Sequence, residues 1–439
     1  MHLESRKKWS MNGTSRIRPA KETLEKVIPI SKRIGVTRLA DITDMDVLRI
    51  PNYSAVLPGT EDYIWVYSGK GPTRGHAMAS ALMESIERFS SLPSGGPRKF
   101  VRSSYADLSK VHKVLHPDRI VEPMRFEYRD EMLMDWLAGH DLVSGEEVMV
   151  PASIALFRYT PPPPAVNPFA YFHTNGLASG NVVEEAICHA LCEVIERDAM
   201  SLAELRASAI PFHILRTIVR SLNEAGLHVP PIPADKFVDD SSLFSDVDIS
   251  EIEFEPVRHL VDKFKRAGIS LNVKDITSDT GIPTFNASSV EWVTHDYGYL
   301  AEGHGTHPDA RIALLRAITE VSQTRAANIQ GARDDLRKIK YGELNTDDRR
   351  AWQFMQSTKK IRFSQIQTYF NEDILDDISL ILSKLKSVGL ASAIIVDLTN
   401  PDIGIPVVRA IVPGLETFKI TKSVMGMRAR ACFRQWRNP

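Results

Sequence analysis

A pattern that recurs three times along the chain constrains its fold more than any other feature of the sequence. Each residue of the first copy returns in the second copy at one constant displacement. The first copy comprises Ala77, Ala81, Leu82, Glu84, Ile86, Glu87 and Arg88, and the second comprises Ala186, Ala190, Leu191, Glu193, Ile195, Glu196 and Arg197. A weaker third copy comprises Ala313, Ala317, Ile318, Glu320 and Gln323, with Arg325 one place late. The recurrence predicts three helices of similar design.

The charged residues of each copy fall on one face of its predicted helix. Positions three and four residues apart are neighbours on a helix, so Glu84, Glu87 and Arg88 form one patch, which the second copy repeats. These faces extend one turn back to Ser80 and His189, and a further turn back to Glu185. Alanines four residues apart allow close approach to another backbone, which predicts internal helices. Carboxylates on internal helices are unfavourable unless they are paired or bind a cation.

Two interpretations of these carboxylates follow. Four of them on two helices could hold Mg²⁺, with waters and phosphate oxygens completing the coordination, and Arg88 and Arg197 would then contact phosphate. Alternatively, each Glu and Arg forms an ordinary salt bridge within its helix or at the surface. The recurrence of the whole pattern, alanines included, favours the magnesium site.

Glycine-bearing stretches precede two of these helices, at 175–181 and 302–308. Such loops at a helix N-terminus offer free backbone N–H groups to an anion. Neither stretch matches a P-loop or the dinucleotide-binding fingerprint. Each taken alone is also typical of an ordinary turn into a helix.

The order of helical and strand-like segments predicts a mixed α+β fold with a sheet core. Helices are expected at 19–34, 76–90, 183–205 and 308–328, and strands at 47–57, 148–154, 270–276, 394–398 and 407–412. We expect an N-terminal segment at 1–68 and one domain at 69–439. Exposed loops are predicted at the prolines 161–164 and at 229–250, which is rich in Pro, Asp and Ser.

Charge and cysteine content exclude several classes of protein. Lys+Arg 54 against Asp+Glu 55 gives a formal net charge of −1, which does not support binding to nucleic acid or to a membrane surface. The arginines of 427–437 are expected on a solvated helix face. No secretory signal or membrane span is evident, and the three cysteines do not suffice for a disulfide framework, so we expect a cytoplasmic protein. Cys188 and Cys192 are expected to be buried as small hydrophobic residues, while Cys432 leaves a sulfur-carrier role open.

Ser80-x3-Glu84-x2-Glu87-Arg88 resembles the signature of the YcaO family. Stretches similar to other parts of that family are 15–19, 34–38, 175–181, 193–198, 307–325 and 406–416. The resemblance implies a YcaO-type fold whose helices form an ATP site without a P-loop. It also implies the reaction, in which ATP phosphorylates a backbone amide oxygen of a peptide after a nucleophile has added to the carbonyl carbon. ATP and Mg²⁺ are the implied cofactors.

The resemblance assigns expected roles to individual residues. Glu84, Glu87, Glu193 and Glu196 would hold Mg²⁺. The expected nucleotide contacts are Ser80, Arg88, Asn181, Arg197, Arg316, Gln323, Arg325, Arg16 and Arg18. Residues expected to act in catalysis are Glu84, Glu193 and Arg197. His189 is either a ligand or a core histidine with its hydrogen bonds satisfied.

The nucleophile decides the product. Azoline-forming members use a Cys, Ser or Thr side chain and usually end in a proline-rich tail, whereas this chain ends with one proline at Pro439. We therefore expect an archaeal-type, thioamide-forming enzyme that uses sulfide to modify a glycine in the α subunit of methyl-coenzyme M reductase, often with a TfuA partner. An azoline-forming cyclodehydratase and a non-catalytic accessory protein are the alternatives. The sequence does not fix the sulfur donor or the oligomeric state, and a homodimer is left open.

Overall fold

The structure, a computed structural model, describes residues 1–58, 64–207, 219–229, 243–292, 298–331, 352–417 and 424–437. The helices described in this part of the chain are α1 (Ala20–Arg33), α2 (Arg74–Ser91), α3 (Tyr105–Leu108), α4 (Ala152–Ala155), α5 (Val183–Ala207), α6 (Glu255–Ala267), α7 (Ala310–Gln330), α8 (Ile374–Ser387) and α9 (Met427–Arg437). Together with the sheets, these helices give the mixed α+β fold that the sequence predicts.

Three sheets organise the strands. The first, in order β1-β2-β3, is antiparallel and contains β1 (Arg38–Asp41), β2 (Asn52–Pro58) and β3 (Ile64–Lys70). The second, in order β11-β10-β9-β8-β12, contains β8 (Asp246–Asp248), β9 (Ser270–Asp275), β10 (Thr284–Trp292), β11 (Gly298–Thr306) and β12 (Lys360–Arg362). The third, in order β4-β5-β13-β14-β7 with β6 beside β5, contains β4 (Val101–Ser104), β5 (Leu133–Asp141), β6 (Glu147–Pro151), β7 (Leu177–Ser179), β13 (Ile394–Asp397) and β14 (Val407–Ile411).

Helix α5 occupies the interior between the third sheet and α8. Ala186 and Ala190 are fully buried, and α5 packs against β14 on one side and α8 on the other. Helices α1 and α2 cover the first sheet, and α6 and α7 cover the second. This arrangement places the three recurring segments on internal helices, as their alanines predict.

Glycines on the strands let two of these helices lie directly on the sheet backbone. At Gly69 of β3 an added Cβ would lie 2.1 Å from the amide nitrogen of Ala81 and 2.2 Å from the carbonyl oxygen of Ala77. At Gly305 of β11 it would lie 2.0 Å from the carbonyl oxygen of Ala313. No side chain fits such a gap, so the glycines and the facing alanines fix how α2 and α7 pack. The predicted close approach is confirmed.

Capping residues set where α2 and α7 begin. The Thr73 side chain accepts a hydrogen bond from the amide of His76, and that of Asp309 accepts one from the amide of Arg311 at 2.9 Å. Helix α7 ends at Gly331, whose φ of +63° is the left-handed conformation that glycine adopts readily.

Several predicted elements differ from the structure at their ends. The strand predicted at 47–57 begins only at Asn52, because Arg49 has a φ of +47° and Pro51 cannot donate to a ladder. The strand predicted at 148–154 ends at Pro151, where the four-residue helix α4 follows. The boundary predicted between residues 68 and 69 falls inside β3, so the first sheet spans both predicted parts.

Two surface predictions are partly wrong. Within the loop predicted at 229–250, residues 246–248 form β8 and bury Val247, whereas 230–242 lie outside the described residues. Arg428 does not lie on a solvated face. Its side chain is 10% exposed and pairs with Asp198 at 3.0 Å and with Asp279 at 2.8 Å. Of the four prolines at 161–164, only Pro161 is buried. Among the described helices, none has the length and apolar character needed to cross a membrane.

Candidate functional site

The acidic faces of α2 and α5 meet beside β7. Ser179, at the end of β7, donates hydrogen bonds to the carbonyl oxygen of Met83 at 3.2 Å and to Oε2 of Glu87 at 3.4 Å. Helix α5 starts four residues later, at Val183. The strand therefore contacts α2 at its acidic face and leads directly into the second acidic helix.

Each of these helices carries an arginine between its own two glutamates. Arg88 Nη2 lies 3.3 Å from Glu84 Oε1, and Arg88 Nη1 lies 3.5 Å from Glu87 Oε1. Arg197 repeats the arrangement at 3.8 and 3.6 Å from the glutamates four and one positions before it. These separations exceed the roughly 2.7–2.9 Å of a well-formed charge-assisted hydrogen bond. The intrahelical ion pairs of the salt-bridge interpretation are thus present, but their separations are long.

Burial and mutual repulsion raise the pKa of two of the four carboxyl groups. Burial raises the pKa of Glu87 to about 8, against the lowering effect of Arg88 and with added repulsion from Glu84 and Glu193. Burial likewise raises the pKa of Glu196, and Glu193 again contributes. Since the charge of Glu193 acts on a carboxyl group of each helix, the two acidic faces form one cluster.

The third helix adds Glu320 to this cluster. Glu320 pairs with Lys70 at the end of β3, and its charge also acts on Arg197 of α5 and Glu196. Although burial opposes ionisation, Lys70 and Arg197 lower the pKa of Glu320 to about 2. Lys70 was not predicted as a site residue. The signal for it in the sequence is its position at the end of β3, directly before Gly71.

Basic side chains gather one turn away, around His189. Its Nε2 lies 3.0 Å from Arg316 Nη2, and its Nδ1 lies 3.5 Å from Arg16 Nη2. Burial, together with the charges of Arg316 and Arg16, holds the pKa of His189 well below its usual range. A neutral imidazole has one acceptor nitrogen, so it accepts from only one of the two arginines. Arg16 also pairs with Glu185 at 3.3 Å, whereas Nε of Arg316 is buried and makes no hydrogen bond within the described residues. The free donor of Arg316 could bind an anion.

Glu185 organises the residues that border this basic group. Its carboxylate accepts hydrogen bonds from the amide of Ile17 at 2.7 Å and from the amide of Asn181 at 2.8 Å. The side chain of Asn181 donates to Glu185 at 3.0 Å and accepts from Thr23 at 2.9 Å. Asn181 is therefore held in place by the protein itself. The remaining predicted contacts on α2 and the N-terminal segment, Ser80 and Arg18, are partly exposed.

Arg325 and Gln323, both predicted as nucleotide contacts, bond to other parts of the protein. Arg325 is buried and pairs with Asp46 at 2.8 Å and with Glu291 at 2.6 Å, apart from the acidic cluster. Its place in the third copy is one residue late, which turns the side chain by about 100° around the helix. Gln323 donates to the carbonyl oxygen of Ser68 on β3.

Unpaired buried atoms show what this cluster can accommodate. Within the described part of the chain, Oε2 of Glu196 and Nη1 of Arg88 are buried and make no hydrogen bond. A buried polar atom without a partner is unfavourable, which points to a missing ligand. The carboxylates suit Mg²⁺, which prefers oxygen ligands, and the arginines suit phosphate oxygens. The residues present therefore fit a metal-bound nucleotide.

Comparisons with known proteins agree with this chemistry. The family described as YcaO cyclodehydratase, binding ATP and Mg²⁺, matches residues 68–416. A protein of Methanothermobacter thermautotrophicus is 35% identical over 422 residues, covering 94% of this chain and 98% of the relative. A Rhizobium leguminosarum bv. trifolii protein of the tfuA 3′ region is 30% identical over 425 residues, covering 93% and 90%.

Solved structures share the fold. YcaO from Methanopyrus kandleri, bound with AMPPCP and Mg²⁺, has a TM-score of 0.67 and 22% identity, covering 95% of this chain and 97% of that one. A heterocyclase in complex with substrate and cofactor has a TM-score of 0.73 and 24% identity. This second match covers 97% of the present chain, which spans only 55% of the heterocyclase.

Proposed function

The chain belongs to the YcaO family, whose cofactors are ATP and Mg²⁺, and from that premise we propose that it activates a peptide backbone amide by phosphorylating the amide oxygen. The observation that carries this proposal is the convergence of three acidic helices around buried, unpaired carboxylate and guanidinium atoms. Bound Mg-ATP would supply the phosphoryl group that turns a poor leaving group into a good one.

The resemblance to the family suggests the roles of these residues. Glu84, Glu87, Glu193 and Glu196 would hold Mg²⁺ through carboxylate oxygens. Arg88 and Arg197, loosely paired to those glutamates, would contact phosphate oxygens when the metal is bound. Glu84, Glu193 and Arg197 would act in catalysis.

The basic group around His189 supplies the second half of the nucleotide site. Arg16 and Arg316 have more donors than the neutral imidazole accepts, so they bind further phosphate oxygens. Glu185 and Asn181 hold the N-terminal segment and the loop before α5 around the same space. His189 thus keeps two guanidinium groups apart and acts as a positioning residue.

The finer proposal is thioamide formation with sulfide on a glycine of the methyl-coenzyme M reductase α subunit. Hydrosulfide adds to the carbonyl carbon, and the oxygen takes the γ-phosphoryl group with release of ADP. Loss of phosphate and of the S–H proton then leaves a C=S bond. The similarity over nearly full length to an archaeal protein supports this choice. The relative from the tfuA 3′ region supports a TfuA partner.

Azoline formation on a ribosomal peptide is the second candidate, because a heterocyclase shares this fold. Product mass separates the two. The purified protein is incubated with ATP, Mg²⁺, sulfide and a peptide spanning the candidate glycine. A gain equal to the difference between sulfur and oxygen supports thioamidation, whereas loss of one water supports azoline formation. An unmodified peptide without ADP formation contradicts both.

The magnesium assignment is tested by Glu84→Gln and Glu193→Gln, which keep the side-chain shape but remove the negative charge. We expect each to abolish Mg-ATP hydrolysis while thermal unfolding stays close to that of the wild type. Glu146→Gln is the matched control, since Glu146 lies on the surface and pairs with Lys113. Unchanged hydrolysis in the two site variants would remove the metal assignment.

A further inference from the structure

A buried arginine that the nucleotide site does not use lies on β14. Arg409 is 1% exposed, and its Nη2 donates to the carbonyl oxygen of His173 at 3.1 Å and lies 2.9 Å from His173 Nδ1. Its Nε and Nη1 make no hydrogen bond within the described residues. Among those residues no carboxylate lies within ion-pairing distance of it. Such a group is unfavourable in an empty protein, which suggests that a ligand completes it.

Arg325 is a second buried arginine with which Arg409 can be compared. It is equally buried, at 1% exposure, yet pairs with both Asp46 and Glu291. The fold therefore pairs such a group where the role is structural. Arg409 differs because it has no carboxylate partner among the described residues and lines a pocket.

The pocket beside Arg409 is mostly apolar. Its lining includes Ile120, Ile154, Val194 and Val412, together with Asn175. The Oδ1 atom of Asn175 is buried and makes no hydrogen bond within the described part of the chain. Glu122 and His173, which pair with one another at 3.4 Å, also line the pocket. The pocket thus offers donors of Arg409 and an acceptor of Asn175 that make no hydrogen bond, within walls that are mostly apolar.

The backbone fixes these two polar groups relative to one another. Arg409 pairs with Leu177 in the β14–β7 register, and the amide of Ala410 donates to the carbonyl oxygen of Gly176 at 2.8 Å. Gly176 has a φ of +78°, and a Cβ there would lie 2.4 Å from the carbonyl oxygen of Ala410. Because Gly176 follows Asn175 directly, Asn175 is held against the strand that carries Arg409.

The pocket also borders the acidic cluster. The charges of Glu193 and Glu87 act on Arg409, as does that of Arg88, although burial is the main effect and lowers the pKa of Arg409 to about 10. Val194, which lines the pocket, directly follows Glu193. A ligand in the pocket would therefore lie next to the proposed phosphoryl donor.

We propose that this pocket binds the backbone of the peptide substrate, with Arg409 donating to the carbonyl oxygen of the reacting amide and Asn175 accepting from a neighbouring peptide N–H. The proposal rests on the proposed function, since it places the amide beside the phosphoryl donor. A simple anion would satisfy the arginine but leave the Asn175 oxygen unpaired. A peptide backbone presents both an acceptor and a donor, and the apolar walls suit its uncharged surface.

Arg409 would then act when the nucleophile adds to the carbonyl carbon. Addition moves the carbonyl π electrons onto the oxygen, and a guanidinium already directed at that atom stabilises the developing charge. Transfer of the phosphoryl group to the same oxygen then removes that negative charge. Both groups are pre-positioned by β14 and by the Asn175–Gly176 turn, so little reorganisation is needed.

The test measures binding of a blocked amide, which needs no turnover. N-acetylglycine N′-methylamide is titrated into the wild type and into Arg409→Met, Arg409→Lys and Asn175→Ala, with binding followed by ligand-observed NMR. We expect about tenfold or greater weakening in Arg409→Met and Asn175→Ala, and partial recovery in Arg409→Lys. Arg102→Met, which changes a partly exposed arginine paired with Asp135, is the matched control and should bind as the wild type does.

Two results would overturn the pocket assignment. One is equal binding of the probe to the wild type and to folded Arg409→Met, with folding checked by thermal melting. The other is no binding to the wild type up to the solubility limit of the probe. Failure of the proposed function gives a different result, in which the probe binds as expected but no peptide is modified and no ADP forms.

Discussion

Glu87 carries a carboxyl group at a place where its ionisation is unfavourable. Its pKa of about 8, against an ordinary 4.5, keeps it largely protonated at neutral pH in the metal-free protein. Magnesium requires the ionised form, so binding of Mg-AMPPCP should release a proton and strengthen as pH rises towards about 8. Calorimetry in buffers of different ionisation enthalpy measures the release, which Glu87→Gln should reduce. Equal proton release in that variant would contradict the prediction.

The same shift has a consequence for the stability of the metal-free protein. A carboxyl group whose pKa is higher in the folded than in the unfolded state stabilises the folded state. This stabilisation is complete at pH values below the pKa of the unfolded state. This contribution falls as pH rises from about 4.5 to about 8, by up to about 1.4 kcal/mol per unit. Urea unfolding at several pH values should show this slope in the wild type and a shallower one in Glu87→Gln.

Arg409 and Arg325 form a natural pair for a stability measurement. Arg325→Met should lower the free energy of unfolding by about 3–5 kcal/mol, because it leaves Asp46 buried without its partner. Arg409→Met should be neutral or stabilising, since it removes a buried charge that has no carboxylate partner among the described residues. Denaturant titration measures both, and an equal loss in the two variants would show that Arg409 is structural.

The acidic residues could be predicted because helix periodicity alone places them on one face. Lys70 and Arg409 could not, because their partners, Glu320 and His173, are distant from them in sequence. Arg325 was predicted as a nucleotide contact and lies instead in a buried pair. A shift of one residue along a helix changes the direction of a side chain. Similarity to a motif does not reveal this change of direction.

At the scale of elements, the contact of Gly69 with α2 offers a sharp test. Gly69→Ala should destabilise the protein by about 1–3 kcal/mol or more, because the added methyl group meets backbone atoms of Ala77 and Ala81 that cannot turn aside. Gly75→Ala, in α2 itself, is the control, since its nearest neighbour would be Ala20 Cβ at an ordinary 3.7 Å. It should be neutral or stabilising by up to about 1 kcal/mol. Equal unfolding midpoints would refute the packing argument.

Local sequence located some helices and strands accurately and missed others. The strands predicted at 270–276, 394–398 and 407–412 end within one residue of β9, β13 and β14, whereas the helices α6 and α8 were not predicted. The starts and ends of α1, α2, α5 and α7 fall within two residues of the predicted ones, because caps and apolar periodicity are local signals. The short strand β8 was missed, since its burial depends on pairing with β9 and β12. Local sequence does not encode such partners.

At the scale of the whole molecule, the N-terminal segment is tied to distant elements. Lys8 pairs with Asp377 of α8 at 2.6 Å, and both side chains are completely buried. Lys8→Met should lower the free energy of unfolding by about 3–5 kcal/mol, because it leaves an unpaired buried carboxylate. Lys7→Met, at an exposed neighbour, should have little effect. If neither substitution changes the free energy of unfolding, the N-terminal segment is only loosely attached.

The pairing of Arg88 and Arg197 with their own glutamates gives the empty enzyme built-in counterions. A bare metal ion must compete with these guanidinium groups for the carboxylates. Once it binds, the guanidinium groups have no partners. A nucleotide that arrives with its ion returns a phosphate oxygen to each displaced arginine. We therefore expect Mg²⁺ and nucleotide to bind cooperatively, so that free Mg²⁺ alone does not fill the proposed site.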